Sequence, residues 1–216
     1  MEMKNIITKI ETQKKNIDRV NIYINHEYAF SCSAELIYIH KLKVNEKVDL
    51  DDLKEVIDQD NFMKCKNAAL KIVERGYKTE KQVYDKLIQK EYEEAYVEKV
   101  IEFLKNYNLI NDREYAKLYI NDKIKLQGRN KIKYDLIKKG IEEHIIEDML
   151  ENSDKHISES AALSIAEKKY RSLSRSENDQ KKIYKKLGEF MLRKGYSWGE
   201  VKLVLNSILK DEELYE

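Results

Sequence analysis

"LIKKGIEEHIIEDML", residues 136–150, decides the fold because the chain carries it three times. "LIQKEYEEAYVEKVIEFL" (87–104) lies over it at a constant offset: Leu87, Tyr92, Val97 and Ile101 fall on Leu136, Ile141, Ile146 and Leu150, each 49 residues on. "MLRKGYSWGEVKLVL" (191–205) repeats the frame a further 55 residues on, with Gly195 on Gly140, Tyr196 on Ile141 and Val201 on Ile146. Upstream of each copy is an alanine-containing amphipathic stretch, "KNAALKIVERG", "REYAKLYINDKI" and "SAALSIAEKKY". The repeating unit is therefore about three helices. One such unit has little core of its own, so successive units are expected to stack.

Working outward, the frame predicts three-helix repeats over 61–108, 109–152 and 153–212. Gly140 and Gly195 each follow a helical run and precede an aliphatic or aromatic residue and a new helix. That is the place of a residue with positive φ that ends a helix. Repeat 1 has Glu91 there instead. The chain of 216 residues contains no proline, where about 5% is usual. Proline breaks helix interiors, so its absence suits a mostly helical protein.

Residues 1–58 read differently. "DRVNIYINHEYAFSCS" (18–33) alternates, with Val20, Ile22 and Ile24 on one face and Tyr28, Phe30 and Cys32 resuming the alternation after an "NHE" turn. That is a β-hairpin by period, and "IITKIETQ" (6–13) is a candidate third strand. "SAELIYIHKL" and "DLDDLKEVIDQ" read as two short helices, with Ser33 and either Asp49 or Asp51 as N-cap candidates. The fold class expected is mainly α: a tandem, elongated or curved array of three helix-turn-helix-like repeats behind a small β-hairpin-containing module.

The formal net charge of +1 conceals a segregation. Lys123 to Lys139 holds seven basic residues and one acid, whereas Glu142 to Asp154 holds six acids and no Lys or Arg. Repeat 3 shows the basic half again in Lys181, Lys182, Lys185, Lys186, Arg193 and Lys194, and repeat 1 shows it weakly. Acids favour the first turn of a helix, which accounts for part of the pattern. Recurrence of a basic second helix points to a stripe that faces a polyanion or an acidic protein surface. The candidate contact residues are Lys86, Lys90, Lys123, Lys125, Arg129, Lys131, Lys133, Lys138, Lys139, Lys185, Lys186, Arg193 and Lys194.

Other chemistries lack their residues. "KLQGRNKIKYDLIKKGI" (125–141) combines glycines with lysines, but neither GxxxxGK[ST] nor GxGxxG occurs. His26, His40, His144 and His156 are scattered without ligand spacing, and Cys32 and Cys65 form no metal-type pair. No Ser or Cys has a nucleophile context such as GxSxG. Tyr196 and Trp198, single aromatics in an apolar frame, are expected in the core rather than as a base-stacking platform. No apolar run approaches the roughly 18–20 residues that span a bilayer, and the charged N-terminus is unlike a signal peptide. A cytoplasmic, non-enzymatic protein without cofactor or metal is expected.

From about residue 64 to 209 the chain resembles RecX, the regulatory protein of the bacterial recombinase RecA. The family pattern falls on Asn111-Asp112, Tyr115-Ala116, Lys123, Gly128, Leu136 and Lys139-Gly140-Ile141. In repeat 1 it falls on Ala69, Arg75, Thr79 and Lys86-Leu87. The N-terminal "ITKIETQKKNIDRVNIYINHEYAFS" (7–31) looks like the β-rich extension of longer members from Gram-positive bacteria. Gln127, Gln82 and Glu91 depart from the pattern, and repeat 3 carries a charged insertion, "RSLSRSENDQKKIYKK". The resemblance implies a monomeric regulator that lies on the RecA–single-stranded DNA filament. It would restrain filament growth, ATP hydrolysis and strand exchange, with weak, salt-sensitive affinity for single-stranded DNA and also for duplex DNA. Two other readings fit the residues: a helix-turn-helix-like DNA-binding protein, and a helical scaffold that binds protein alone.

Overall fold

A computed structural model describes the backbone of residues 5–213 and the side chains of 5–208 other than Lys155. The chain divides into two compact units. One comprises the N-terminal part to Arg75 with Tyr84–Asn106, the other Gly76–Val83 with the chain from Tyr107 onward.

The first unit opens with an antiparallel sheet, β1 (Ile7–Gln13), β2 (Asn16–Ile24) and β3 (Glu27–Ser33), in the order β1-β2-β3. Asn25 and His26 both have positive φ (50° and 73°), the two-residue turn whose twist matches a hairpin. Val20 pairs with Cys32 and Ile22 with Phe30, as alternation predicts. The register then slips, so that Tyr23 faces Tyr28. This bulge turns Tyr28 to the outer side, where its ring meets that of Tyr23 edge-on at 5.9 Å, instead of continuing the Phe30 and Cys32 face. Ile7, Val20, Ile22 and Cys32 form the core of this module with Leu36 of α1 (Ala34–Ile39) and Val56.

The two short helices expected after the sheet become one short helix and one long one. Asp49 caps α2 (Leu50–Val73), accepting from the Asp51 N–H at 3.1 Å, and the helix then runs 24 residues without a break. No Gly or Pro interrupts it between Asp58 and Phe62. Its burial changes face instead. Leu53, Val56 and Asp60 are buried in the first half and Cys65, Ala69 and Ile72 in the second. At about 100° per residue the buried stripe moves roughly 150° around the axis. The first stripe serves the sheet and the second serves α4 (Glu94–Asn106), which packs on α2. Residues 1–4 of the N-terminal module lie outside the described residues.

Asp60 joins sheet to helix. It is 2% exposed, receives both Arg19 Nη atoms at 3.0 Å, Lys64 Nζ at 2.7 Å and the Ser33 N–H at 2.9 Å. Burial alone would raise its carboxyl pKa. The Arg19, Lys64 and Ser33 hydrogen bonds outweigh that and hold it below the ordinary carboxylate range.

In the second unit, α5 (Asp112–Lys123), α6 (Arg129–Lys138) and α7 (Glu143–Glu151) enclose Ala116, Ile120, Ile132, Leu136, Ile141 and Ile146. Helices α8 (Lys155–Leu173), α9 (Gln180–Arg193) and α10 (Trp198–Glu213) enclose Ala162, Ala166, Leu187, Met191, Tyr196 and Val201. The residues aligned by the repeat, Ile141 with Tyr196 and Ile146 with Val201, thus fill the same places in two cores. Asn111, Asp154 and Asp179 cap α5, α8 and α9 with their side chains. Gln82 closes a reciprocal cap with Thr79: Thr79 N–H donates to Gln82 Oε1 and Gln82 N–H to Thr79 Oγ1, both at 3.2 Å.

Stacking in this unit reuses one device. Thr79 Oγ1, at the start of α3 (Glu80–Ile88), donates to Lys139 O at 2.6 Å. One repeat on, Gly128 N–H at the start of α6 donates to Lys194 O at 2.9 Å and Asn130 N–H to Gly195 O at 3.1 Å. Gly140 and Gly195 have φ of +87° and +89°, as expected for helix terminators. They also leave room for the preceding helix, because a Cβ on Gly140 would lie 2.3 Å from Lys81 Cβ and one on Gly195 2.3 Å from Lys131 Cβ. Glu91 makes the equivalent turn at φ +64°. No earlier repeat exists to press against it, so a side chain is tolerated there.

Candidate partner interface

The second helices and the turns beside them supply the cations, except Lys123, which ends α5, and the structure sorts them by what holds them. Lys133 Nζ reaches Glu143 at 2.5 Å and Glu147 at 2.7 Å on α7, so part of the basic helix is neutralised by the acidic helix of the same repeat. Those two carboxylates raise the pKa of Lys133. Lys131 pairs with Asp135 at 2.8 Å, Lys123 with Asp122 at 2.7 Å and Lys186 with Glu177 at 2.9 Å. Arg193 lies 3.9 Å from Glu189. The other eight candidates, Lys86, Lys90, Lys125, Arg129, Lys138, Lys139, Lys185 and Lys194, have no ion pair among the described residues.

Several of these eight lie over aromatic rings. Lys139 Nζ is 5.8 and 5.5 Å from the Tyr115 and Tyr119 centroids, Lys138 4.6 Å from Tyr134, and Lys194 5.9 Å from Phe190. A ring holds an ammonium without cancelling its charge, which keeps these cations placed and available. Arg129 donates to Ser153 Oγ at 3.2 Å and borders a cleft of about 490 Å³ beside α8 and α10. Exposed Lys86, Lys125 and Lys185 extend into solvent.

The sequence missed an apolar element of this surface. Helical spacing in "KLQGRNKIKYDLIKKGI" predicts that Ile132, Leu136 and Ile137 all face the core, yet Ile137 is 45% exposed. It occupies the last position but one of the second helical run, one residue past Leu136, and so points away from the buried side. Ile88 and Leu192, its equivalents in repeats 1 and 3, are exposed to a similar degree. Each is flanked by basic residues: Lys86 and Lys90, Lys138 and Lys139, Arg193 and Lys194. Recurrence of an aliphatic in all three copies was the available signal, and reading it as core hid it. Trp198 is also a correction. Tyr196 is buried as expected, but Trp198 is 57% exposed. It starts α10 at the position of Glu143 and Glu94, which face solvent in their own repeats.

Among the described residues no group of His, Cys, Asp and Glu could hold a metal ion, and no helix is long and apolar enough to cross a bilayer. Cys32 and Cys65 are buried free thiols, both pushed up to about 11 by burial.

Comparison with known proteins assigns the repeats. The RecX N-terminal domain matches residues 5–49, and the first, second and third three-helix domains of RecX match 65–104, 111–150 and 158–205. The regulatory protein RecX of Clostridium tetani (strain Massachusetts / E88) is 51% identical over 205 residues, covering 95% of each chain. That of Clostridioides difficile (strain 630) is 37% identical, over 96% of this chain and 98% of its own. A crystal structure of regulatory protein RecX superposes with a TM-score of 0.73 at 25% identity, over 93% of this chain and 98% of that one. The structure of RecX from Lactobacillus salivarius gives 0.63 at 29% identity, over 69% of this chain and 97% of its own. The chain belongs to the RecX family of regulatory proteins.

Proposed function

We propose that this protein binds the RecA–single-stranded DNA filament and restrains filament growth, ATP hydrolysis and strand exchange, acting in DNA recombination and repair by binding rather than by catalysis. The observation that carries the reading is the recurrent surface element: an exposed aliphatic flanked by basic side chains at one position of three successive repeats. A purely polyanionic partner has no use for the aliphatic. A protein filament wrapped on DNA offers both an apolar contact and negative charge. Apolar anchors supply most of the energy at protein interfaces, while surrounding charges set orientation and association rate. Lys86, Lys90, Lys125, Arg129, Lys138, Lys139, Lys185 and Lys194 are the first contact candidates among the thirteen, because no carboxylate competes for them. Lys131 and Lys133 come after them.

The plain helix-turn-helix reading is disfavoured. A recognition helix presents its N-terminal residues to base edges. In α6 that end donates to Lys194 O and Gly195 O, and α7 opens on acids that duplex DNA repels. The test is RecA's DNA-dependent ATPase with this protein added at increasing salt. Inhibition at substoichiometric or stoichiometric amounts, weakening as salt rises, is expected. An unchanged ATPase rate at one protein per filament subunit overturns the proposal.

A further inference from the structure

The first helix of repeat 1 carries a basic cleft that shares only Lys90 with the second-helix stripe. Lys64, Lys71 and Arg75 sit on and just after α2 at spacings of seven and four residues, which keeps them within about 40° of one another around the axis. Lys90, from the turn after α3, completes the wall of a cleft of about 380 Å³ with Asn67 and Tyr92. Lys64 is shared with Asp60, whereas Lys71, Arg75 and Lys90 have no ion pair among the described residues. Cations near a helix C-terminus answer the dipole of that helix, which accounts for Lys71 and Arg75. Lys64, two turns earlier, is held by Asp60, and neither effect accounts for Lys90, from another segment. Repeat 2 offers a contrast: Lys139, the equivalent of Lys90, lies over Tyr115 and Tyr119 rather than in a basic cleft.

We infer that this cleft, formed by Lys64, Lys71, Arg75 and Lys90, holds phosphodiester groups of single-stranded nucleic acid. Convergence of ammonium and guanidinium groups on a concavity, with the Asn67 amide as a further donor, matches a phosphate's several acceptor oxygens. No carboxylate lines the cleft to compete. The inference rests on the polyanion part of the proposed function and assigns it to a place.

The test is fluorescence anisotropy of a labelled oligothymidylate with the full chain, with salt varied. Three proteins are compared: the natural chain, Lys71→Gln/Arg75→Gln/Lys90→Gln, and Lys125→Gln/Lys138→Gln/Lys185→Gln. Each phosphate contact adds about 0.7 to the slope of log K against log salt for single strands. Loss of three contacts should flatten the slope by about two and weaken binding roughly 100-fold at 0.1 M salt. If the triple variant does not fold, Lys71→Gln/Lys90→Gln should flatten the slope by about 1.4. An unchanged slope in the cleft variant, with a flatter one in the second-helix variant, overturns the cleft and leaves the polyanion reading standing. Unchanged DNA binding with lost inhibition of the RecA ATPase overturns it in favour of a protein occupant. Absence of binding by the natural chain at low salt overturns both the cleft and direct DNA contact, while the RecA assay still judges the filament reading.

Discussion

Replacing Gly128 by Ala probes the stacking of repeats directly. The backbone at Gly128 (φ −74°, ψ 162°) is open to any residue, so the substitution carries no dihedral penalty. Its cost comes from across the interface. An alanine Cβ would stand 2.3 Å from Gly195 C and O and 2.4 Å from Tyr196 N, all backbone atoms that cannot rotate aside. Inserting one carbon into such a contact costs about 1–3 kcal/mol. If the turn retreats instead, the Gly128-to-Lys194 and Asn130-to-Gly195 hydrogen bonds are lost, at about 1 kcal/mol each. The two routes span about 1–3 kcal/mol, or a fall in Tm of roughly 2–12 °C for a chain of this length. Urea denaturation followed by circular dichroism measures the energy. Gly199→Ala is the control. Gly199 lies in α10 with its nearest neighbour 4.0 Å away, so alanine there should stabilise by about 0.5–1 kcal/mol. A Gly128→Ala variant as stable as the natural chain would show that the two repeats do not meet through this turn.

Other outcomes follow from the same contacts. Asp60→Asn should destabilise the first unit by about 3 kcal/mol, because it leaves Arg19 and Lys64 around a lost charge. Since the folded state holds the Asp60 pKa low, its contribution is complete above the unfolded carboxylate pKa of about 4 and is lost as pH falls below it. The variant's stability should therefore vary less with pH below about 4, and a parallel acid profile would refute this. Glu91→Gly should stabilise by about 0.5–1 kcal/mol by relieving φ +64°, whereas Gly140→Glu should destabilise, both read by thermal unfolding. Tyr196→Phe should stabilise by about 1 kcal/mol, because the Tyr196 hydroxyl is buried without a hydrogen-bond partner among the described residues and burial pushes it up to about 12. A loss of stability there would mean that the hydroxyl is satisfied.

The repeat was legible because core residues recur at fixed offsets, and offsets survive where identities change. Leu87 and Leu136, or Ile146 and Val201, announce one core position in different repeats. Helix terminators were legible for the same reason. Their second use, admitting the start of the preceding helix, was not, because Gly140 and Lys81 are far apart in sequence. Pairing was hidden too: Lys133 meets Glu143 and Glu147 only once α6 and α7 are packed. Alternation failed at Tyr28 because a bulge adds a residue that period alone cannot show. The unity of α2 was missed because its buried face changes midway and breaks the periodic signal of one long helix. Of the site, the basic residues were legible by composition. The exposed Ile88, Ile137 and Leu192 were not, because an aliphatic at helical spacing reads as core until its orientation is known.

The central claim is that these repeats present aliphatic and basic groups together to the RecA filament. RecA's single-stranded-DNA-dependent ATPase, titrated with the natural chain and with Ile137→Ser/Lys138→Glu/Lys139→Glu, tests it most directly. The natural chain should inhibit at stoichiometric amounts or below, and the variant, with unchanged helicity, should require at least tenfold more. Equal inhibition by both would place the contact elsewhere on the molecule, and no inhibition by either would contradict the account.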